Sequence, residues 1–93
     1  MRKLLFFVSE HCPPCQYIKR EWADKIADLL KDPTQVETIK LEGNFEAARR
    51  RHITRTPTAI LEEDGEEKAR YIGARHPNIR DTADWLEGRT KEQ

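Results

Sequence analysis

Residues 4–15 read Leu4-Leu5-Phe6-Phe7-Val8-Ser9-Glu10-His11-Cys12-Pro13-Pro14-Cys15. Five apolar side chains in a row, with no polar alternation, predict a strand over residues 3–9 that is covered on both faces. Residues 10–14 form a turn. Beyond it, Cys15, Ile18, Trp22, Ile26 and Leu29 recur in steps of three and four. Those steps predict a helix over residues 14–31 with one buried stripe. Asp32-Pro33 ends it, because the residue before a proline is biased away from helical geometry. A Cys-x-x-Cys pair therefore lies where a buried strand passes into a helix.

The elements downstream complete an α/β order. Residues 36–41 set Val36, Thr38 and Lys40 against Glu37, Ile39 and Leu41, which predicts a second strand. Asn44 suits the N-cap of a short helix over residues 45–51. Thr58 to Leu61 is a third strand. Asp64-Gly65 is a hairpin turn signal, and residues 66–72 form the returning strand. Gly73 breaks it. Pro77 suits the first turn of a last helix carrying Ile79, Ala83 and Leu86 on one face, with Gly88 at its end. The order is β-α-β-α-β-β-α: a four-stranded mixed sheet flanked by three helices, with a parallel pair first and an antiparallel hairpin second.

With 93 residues the chain, 1–93, makes a single domain. Seventeen basic and seventeen acidic residues cancel, which argues against a general nucleic-acid or membrane-surface binder. The apolar run at residues 4–8 is shorter than the roughly 7–15 residues of a signal-peptide core and far below the ~20 of a membrane span. The expected compartment is the cytoplasm, where a static structural disulfide is disfavoured. The two cysteines are then catalytic, metal-binding or inert.

A Cys-x-x-Cys beside a βαβ pattern reads as a redox motif. The unpaired N–H groups of the helix N-terminus favour a thiolate at Cys12, the nucleophilic form. Cys15 falls on the buried stripe and acts second. Pro13 and Pro14 carry no N–H, so donors to the Cys12 sulfur come from Cys15 and Gln16. His11, when protonated, adds to this effect, and the expected lowering of the Cys12 pKa is moderate. Zinc is the competing reading. It needs two further ligands from His11, His52 and His76, whose spacing is unlike that of a finger, and no metal site is assigned. An inert pair would leave the prolines and the strand–helix junction as coincidence.

Over residues 3–87 the chain resembles the thioredoxin superfamily. The strand Leu4 to Val8, Cys12-Pro13-Pro14-Cys15 and the long helix carry the likeness. So do Ile53-Thr54-Arg55-Thr56-Pro57-Thr58, Asp64-Gly65 and Tyr71-Ile72-Gly73-Ala74. The resemblance implies a thioredoxin-like fold, an attacking Cys12, a resolving Cys15 and a cis-proline at Pro57. Thr56 would then offer backbone groups to an extended client segment, and Gly73 would let client backbone approach. It implies a small thiol–disulfide oxidoreductase that reduces protein disulfides, with no bound cofactor beyond the Cys12–Cys15 couple. Disulfide-containing proteins are the clients, and a flavoprotein disulfide reductase or glutathione is the electron donor. A monomer is expected.

Departures from the family pattern matter too. The family's first strand and helix find no match here, which makes the domain glutaredoxin-sized. His11 stands where the family has tryptophan. Phe6 stands where it has a buried acid, so proton transfer from Cys15 falls to water, Glu10 or Lys40. Gly73-Ala74-Arg75-His76 replaces the glutathione-binding residues of glutaredoxins. A glutathione-dependent glutaredoxin, a disulfide oxidant or isomerase, and a zinc-held or redox-inactive docking module stay open as alternatives.

Arg55 and Arg75 lie on the loops that the resemblance places beside Cys12, and a basic rim favouring acidic partners is expected. Arg49-Arg50-Arg51 reads as a solvated helix face with one residue packed. The acidic residues Glu62, Glu63, Asp64, Glu66 and Glu67 read as a solvated hairpin tip. Trp22 and Trp85 are packing residues, and Tyr17 is a rim or surface aromatic.

Overall fold

The computed structural model describes residues 1–73 and 75–89. Ala74, part of the Gly-Ala pair noted above, lies outside the described residues, as do residues 90–93. The strands are β1 (Arg2–Val8), β2 (Val36–Lys40), β3 (Thr58–Glu63) and β4 (Glu66–Ile72). They form one sheet in the order β2-β1-β3-β4. β1 pairs parallel with β2 and antiparallel with β3, and β3 pairs antiparallel with β4. The first helix, α1, runs over residues 13–29, α2 is Phe45–Arg50 and α3 is Ile79–Leu86. The architecture expected from the sequence is the one observed.

Period-two geometry sends alternate β1 side chains to opposite faces. Leu4, Phe6 and Val8 join Cys15, Ile18, Trp22, Ile26, Ala83 and Leu86 in the larger core, under α1 and α3. Leu5 and Phe7 join Ala48 and Ile60 on the other face, under α2. A central strand covered on both sides explains the unbroken apolar run.

Several boundaries and caps differ from expectation. α1 contains a π-helical turn at Lys19–Ala23 between α-helical segments Pro13–Ile18 and Asp24–Leu29. The wider turn delays the buried face, so Leu29 is 41% exposed and Leu30 is the buried residue at 7%. β3 runs on to Glu63 because Arg2 and Lys3 of β1 stand opposite Glu63 and Glu62. Arg2 forms a cross-strand ion pair with Glu63 at 3.5 Å. Asn44 occupies the N-cap of α2, but its side chain donates backward to the Lys40 carbonyl at 2.9 Å instead of capping. Pro77 lies outside α3. Asn78 is the cap, with its side-chain oxygen accepting from the Asp81 N–H at 3.0 Å.

Of the three consecutive arginines, Arg51 is the packed one. Its partner overturns part of the hairpin-tip reading: Glu62 is 7% exposed and accepts from Arg51 Nε at 2.8 Å. The hairpin turn itself is as expected, with Asp64 and Gly65 both at positive φ (54° and 84°). Asp64 also pairs with the N-terminal ammonium group.

Candidate active site

Cys12 is the N-cap of α1, and Pro13 and Pro14 fill the first turn. Both prolines suit those positions, where an N–H has no helical partner in any case. Cys12 and Cys15 are joined as a disulfide with their Cα atoms 5.2 Å apart. The Cys15 N–H points at the Cys12 sulfur at 3.2 Å. The Gln16 N–H goes to the Cys12 carbonyl at 3.4 Å instead, so one of the two expected donors reaches the sulfur. Cys12 is 8% exposed and Cys15 1%. An incoming group meets Cys12 first, and the helix stripe that buries Ile18 and Trp22 also buries Cys15.

The Thr56–Pro57 peptide bond is cis. Two contacts tie this loop to its neighbours. Ser9 Oγ and Thr56 Oγ1 share a hydrogen bond of 3.0 Å, linking it to the turn that leads into Cys12. The Gly73 N–H donates to the Pro57 carbonyl at 2.8 Å, linking it to the end of β4. Thr58, fully buried, donates its hydroxyl to the Arg55 carbonyl at 2.6 Å and closes the loop on itself. Among the described residues, the N–H and carbonyl of Thr56 have no hydrogen-bond partner. They are available to an extended segment.

Gly73 has φ +75°, and a Cβ built on it would meet nothing within 4 Å. Glycine is required there by the backbone conformation of the free protein, and the space beside it stays open. Arg55 and Arg75 are exposed, two residues before Pro57 and two after Gly73. His11 is exposed beside Cys12. None of the three forms an ion pair with a described residue. Hydrogen bonds thus join Thr56 to Ser9, three residues before Cys12, and Pro57 to Gly73, while none joins His11, Arg55 or Arg75 to either sulfur among the described residues.

Two contributors were not visible in the sequence. Ser9 read as strand punctuation, yet it bridges to Thr56. Trp22 read as packing alone, yet its indole N–H donates to the Pro77 carbonyl at 2.8 Å. Its ring lies 5.3 Å from that of His76 and 6.0 Å from that of Phe6. Trp22 thereby ties α1 to the segment that follows Gly73. Tyr17 is 58% exposed, with the Arg20 guanidinium 5.7 Å from its ring centre. Trp85 stacks on Arg2, whose guanidinium lies 4.6 Å from the ring centre and also donates to the Trp85 carbonyl.

Among the described residues, no group of three or more His, Cys, Asp or Glu side chains could hold a metal ion. No helix among the described residues is long and apolar enough to cross a membrane.

The sequence matches the Thioredoxin family model over residues 2–84. A thioredoxin from Fasciola hepatica is 31% identical, with 91% of this chain and 80% of that one aligned and a TM-score of 0.65. The reduced thioredoxin pre-protein of Schistosoma mansoni superposes with a TM-score of 0.74 at 21% identity, over 94% of this chain and 77% of that one. Thioredoxin 1 of Thermosipho africanus gives 0.70 at 21% identity, over 92% and 91%.

Proposed function

Because the chain belongs to the thioredoxin family, we propose that it is a protein-disulfide reductase working through the Cys12–Cys15 couple. The observation that carries this reading is the asymmetry of the pair. The outer sulfur caps a helix and receives an N–H, and the inner one is buried behind it.

The steps follow from that asymmetry. In the dithiol state the Cys12 thiolate attacks a client disulfide, and one client sulfur departs as thiolate and takes up a proton. The Cys15 thiol loses its proton and attacks the Cys12 sulfur. The second client sulfur leaves with the bonding electron pair and is protonated in turn. Two electrons have passed to the client, and the Cys12–Cys15 disulfide remains. The Cys15 N–H supports a thiolate at Cys12 as a single donor, because Pro13 and Pro14 have no N–H to add.

The unpartnered backbone of Thr56 supports client docking as an added strand, with Gly73 on its other side. The unpaired Arg55 and Arg75 support a preference for clients with acidic residues flanking the disulfide. A flavoprotein disulfide reductase is the favoured electron donor over glutathione. The proposed setting is the cytoplasm, where the donor pool keeps such a dithiol reduced.

The deciding experiment is equilibration in thiol/disulfide buffers with the two states read by mass. A reductase has a potential of about −270 to −200 mV. A potential near about −120 mV would make the protein an oxidant instead. Failure to form the intramolecular disulfide would remove the redox reading altogether, and stoichiometric zinc would then favour a docking module.

A further inference from the structure

Cys15 must lose a proton before it can attack, and its burial disfavours the thiolate. No buried base lies beside it among the described residues. Among the described residues the only buried carboxylate is Glu62, which is paired with Arg51 and lies opposite Lys3, at the far end of the sheet from Cys12. Phe6 and Trp22 fill the core beneath the disulfide with hydrocarbon and indole.

An opening reaches the inner cysteine. A cavity of about 260 Å³ is bounded by Cys15, Gln16 and Lys19 from α1, Thr38 and Lys40 from β2, and Glu10 from the turn between β1 and α1. Water occupies about 30 Å³ per molecule in the liquid, so the cavity has room for several. Its polar side chains supply the partners that such waters need. Glu10 Oε2 and Lys40 Nζ stand 3.7 Å apart, and both side chains are half exposed. The cavity therefore has both the buried inner cysteine and a solvent-facing ion pair on its walls. Lys19 is drawn aside by Asp24, whose two carboxylate oxygens accept from it at 3.0 and 3.2 Å. Glu42 faces Glu10 as well, accepting from its backbone N–H at 3.4 Å.

We propose that Glu10, positioned by Lys40, accepts the Cys15 proton through the water of this cavity during the resolving step. This inference rests on the disulfide-reductase reading. The proton passes from the Cys15 sulfur through water to the Glu10 carboxylate as the Cys15–Cys12 bond forms and the bond from Cys12 to the client breaks. The client sulfur leaves with the electron pair and takes a proton from solvent. Glu10 then loses its proton to bulk water, helped by its exposure. When an electron donor later opens the disulfide at Cys12, the same path returns a proton to Cys15. Lys40 is a positioning residue: it holds the carboxylate at the cavity mouth and does not touch sulfur.

The test is stopped-flow reduction of 5,5′-dithiobis(2-nitrobenzoate) by the pre-reduced protein. Attack by Cys12 releases one coloured thiolate, and attack by Cys15 releases the second, so the two steps appear as separate phases. In Glu10→Gln the second phase should slow about a hundredfold at neutral pH, the low end of what a placed acid–base group contributes, while the first phase is unchanged. That second phase should then climb about tenfold per pH unit as hydroxide substitutes for the carboxylate, a steeper profile than that of the wild type. Glu10→Asp should recover most of the rate, and Lys40→Met should fall between. A Glu10→Gln second phase matching wild type in rate and pH profile would overturn the relay and leave the reductase reading standing. A wild-type protein that shows a first phase and no second would overturn that reading itself.

Discussion

The Gly73 N–H donates to the carbonyl of Pro57 at 2.8 Å, so the loop after β4 and the cis-proline loop are one surface. Gly73 holds φ +75° with open space where a side chain would be. Gly73→Ala should therefore lower stability by about 1–2 kcal/mol through backbone conformation alone. The KM for a protein client should rise because the methyl group occupies the approach path. Reaction with a small disulfide should keep its wild-type rate. Urea unfolding and the two kinetic assays separate these effects. An unchanged KM for protein clients would show that they do not approach over Gly73.

The Arg51–Glu62 pair fixes the C-terminal end of α2 to β3 at 2.8 Å, with the carboxylate buried. Arg51→Ala leaves that charge without its partner and should cost about 3 kcal/mol in urea unfolding. Glu62→Leu combined with Arg51→Met should recover most of this, because hydrocarbon replaces a desolvated pair. Arg49 and Arg50, both exposed, should tolerate alanine with little effect.

Arg55 and Arg75 bear on client choice. Replacing both with alanine should slow reduction of a client peptide with acidic flanks about tenfold at low salt. The wild-type rate should fall as salt is added, while that of the double variant should stay flat. A neutral-flanked peptide is the control. Equal rates for both peptides in both proteins would remove the electrostatic preference.

Arg70 holds α2 and β4 together from the other edge. It donates to the carbonyls of Arg51 and His52 at 2.5 and 3.1 Å and pairs with Glu67 at 2.9 Å. The Arg70 hydrogen bond holds the Glu67 carboxyl below its ordinary range. A lowered folded-state pKa contributes stability above the unfolded value, near about 4.3 for Glu, and that contribution disappears as pH falls through the folded pKa. Arg70→Met should thus be less stable than wild type near neutrality, with the gap narrowing below about pH 4. Thermal melts across that range, at fixed salt, read the sign directly.

How far the sequence spoke depended on whether a signal was periodic or singular. The run Leu4 to Val8, the helix stripe and Asp64-Gly65 specified sheet, layers and hairpin, because each repeats or matches a turn with a strict backbone requirement. Cys12 and Cys15 were legible for the same reason: spacing and a strand–helix junction place them. Contacts between elements distant in the chain left no such trace. Nothing adjacent to Ser9 announces Thr56, and nothing around Trp22 announces the Pro77 carbonyl. Glu62 shows how composition misleads. Within an acidic run it reads as solvated, yet strand alternation turns it inward toward Arg51 while Glu63 turns out to Arg2.

The π-helical turn at Lys19–Ala23 has a bearing on chain length. From Ile18 the buried positions Trp22, Ile26 and Leu30 follow in steps of four, wider than the 3.6 residues of a regular helix. With one residue removed at Arg20, the same side chains would fall three, seven and eleven positions after Ile18, the spacing of an unbroken α-helical face. The helix carries one residue more than its span requires, stored in the wider π-helical turn. Deletion of Arg20 should leave fold and disulfide chemistry intact, whereas deleting a residue from the ungapped segment Asp24–Leu29 should swing Leu30 off the core. The site of tolerated shortening is thus marked in the hydrogen-bond pattern of the helix that carries Cys15.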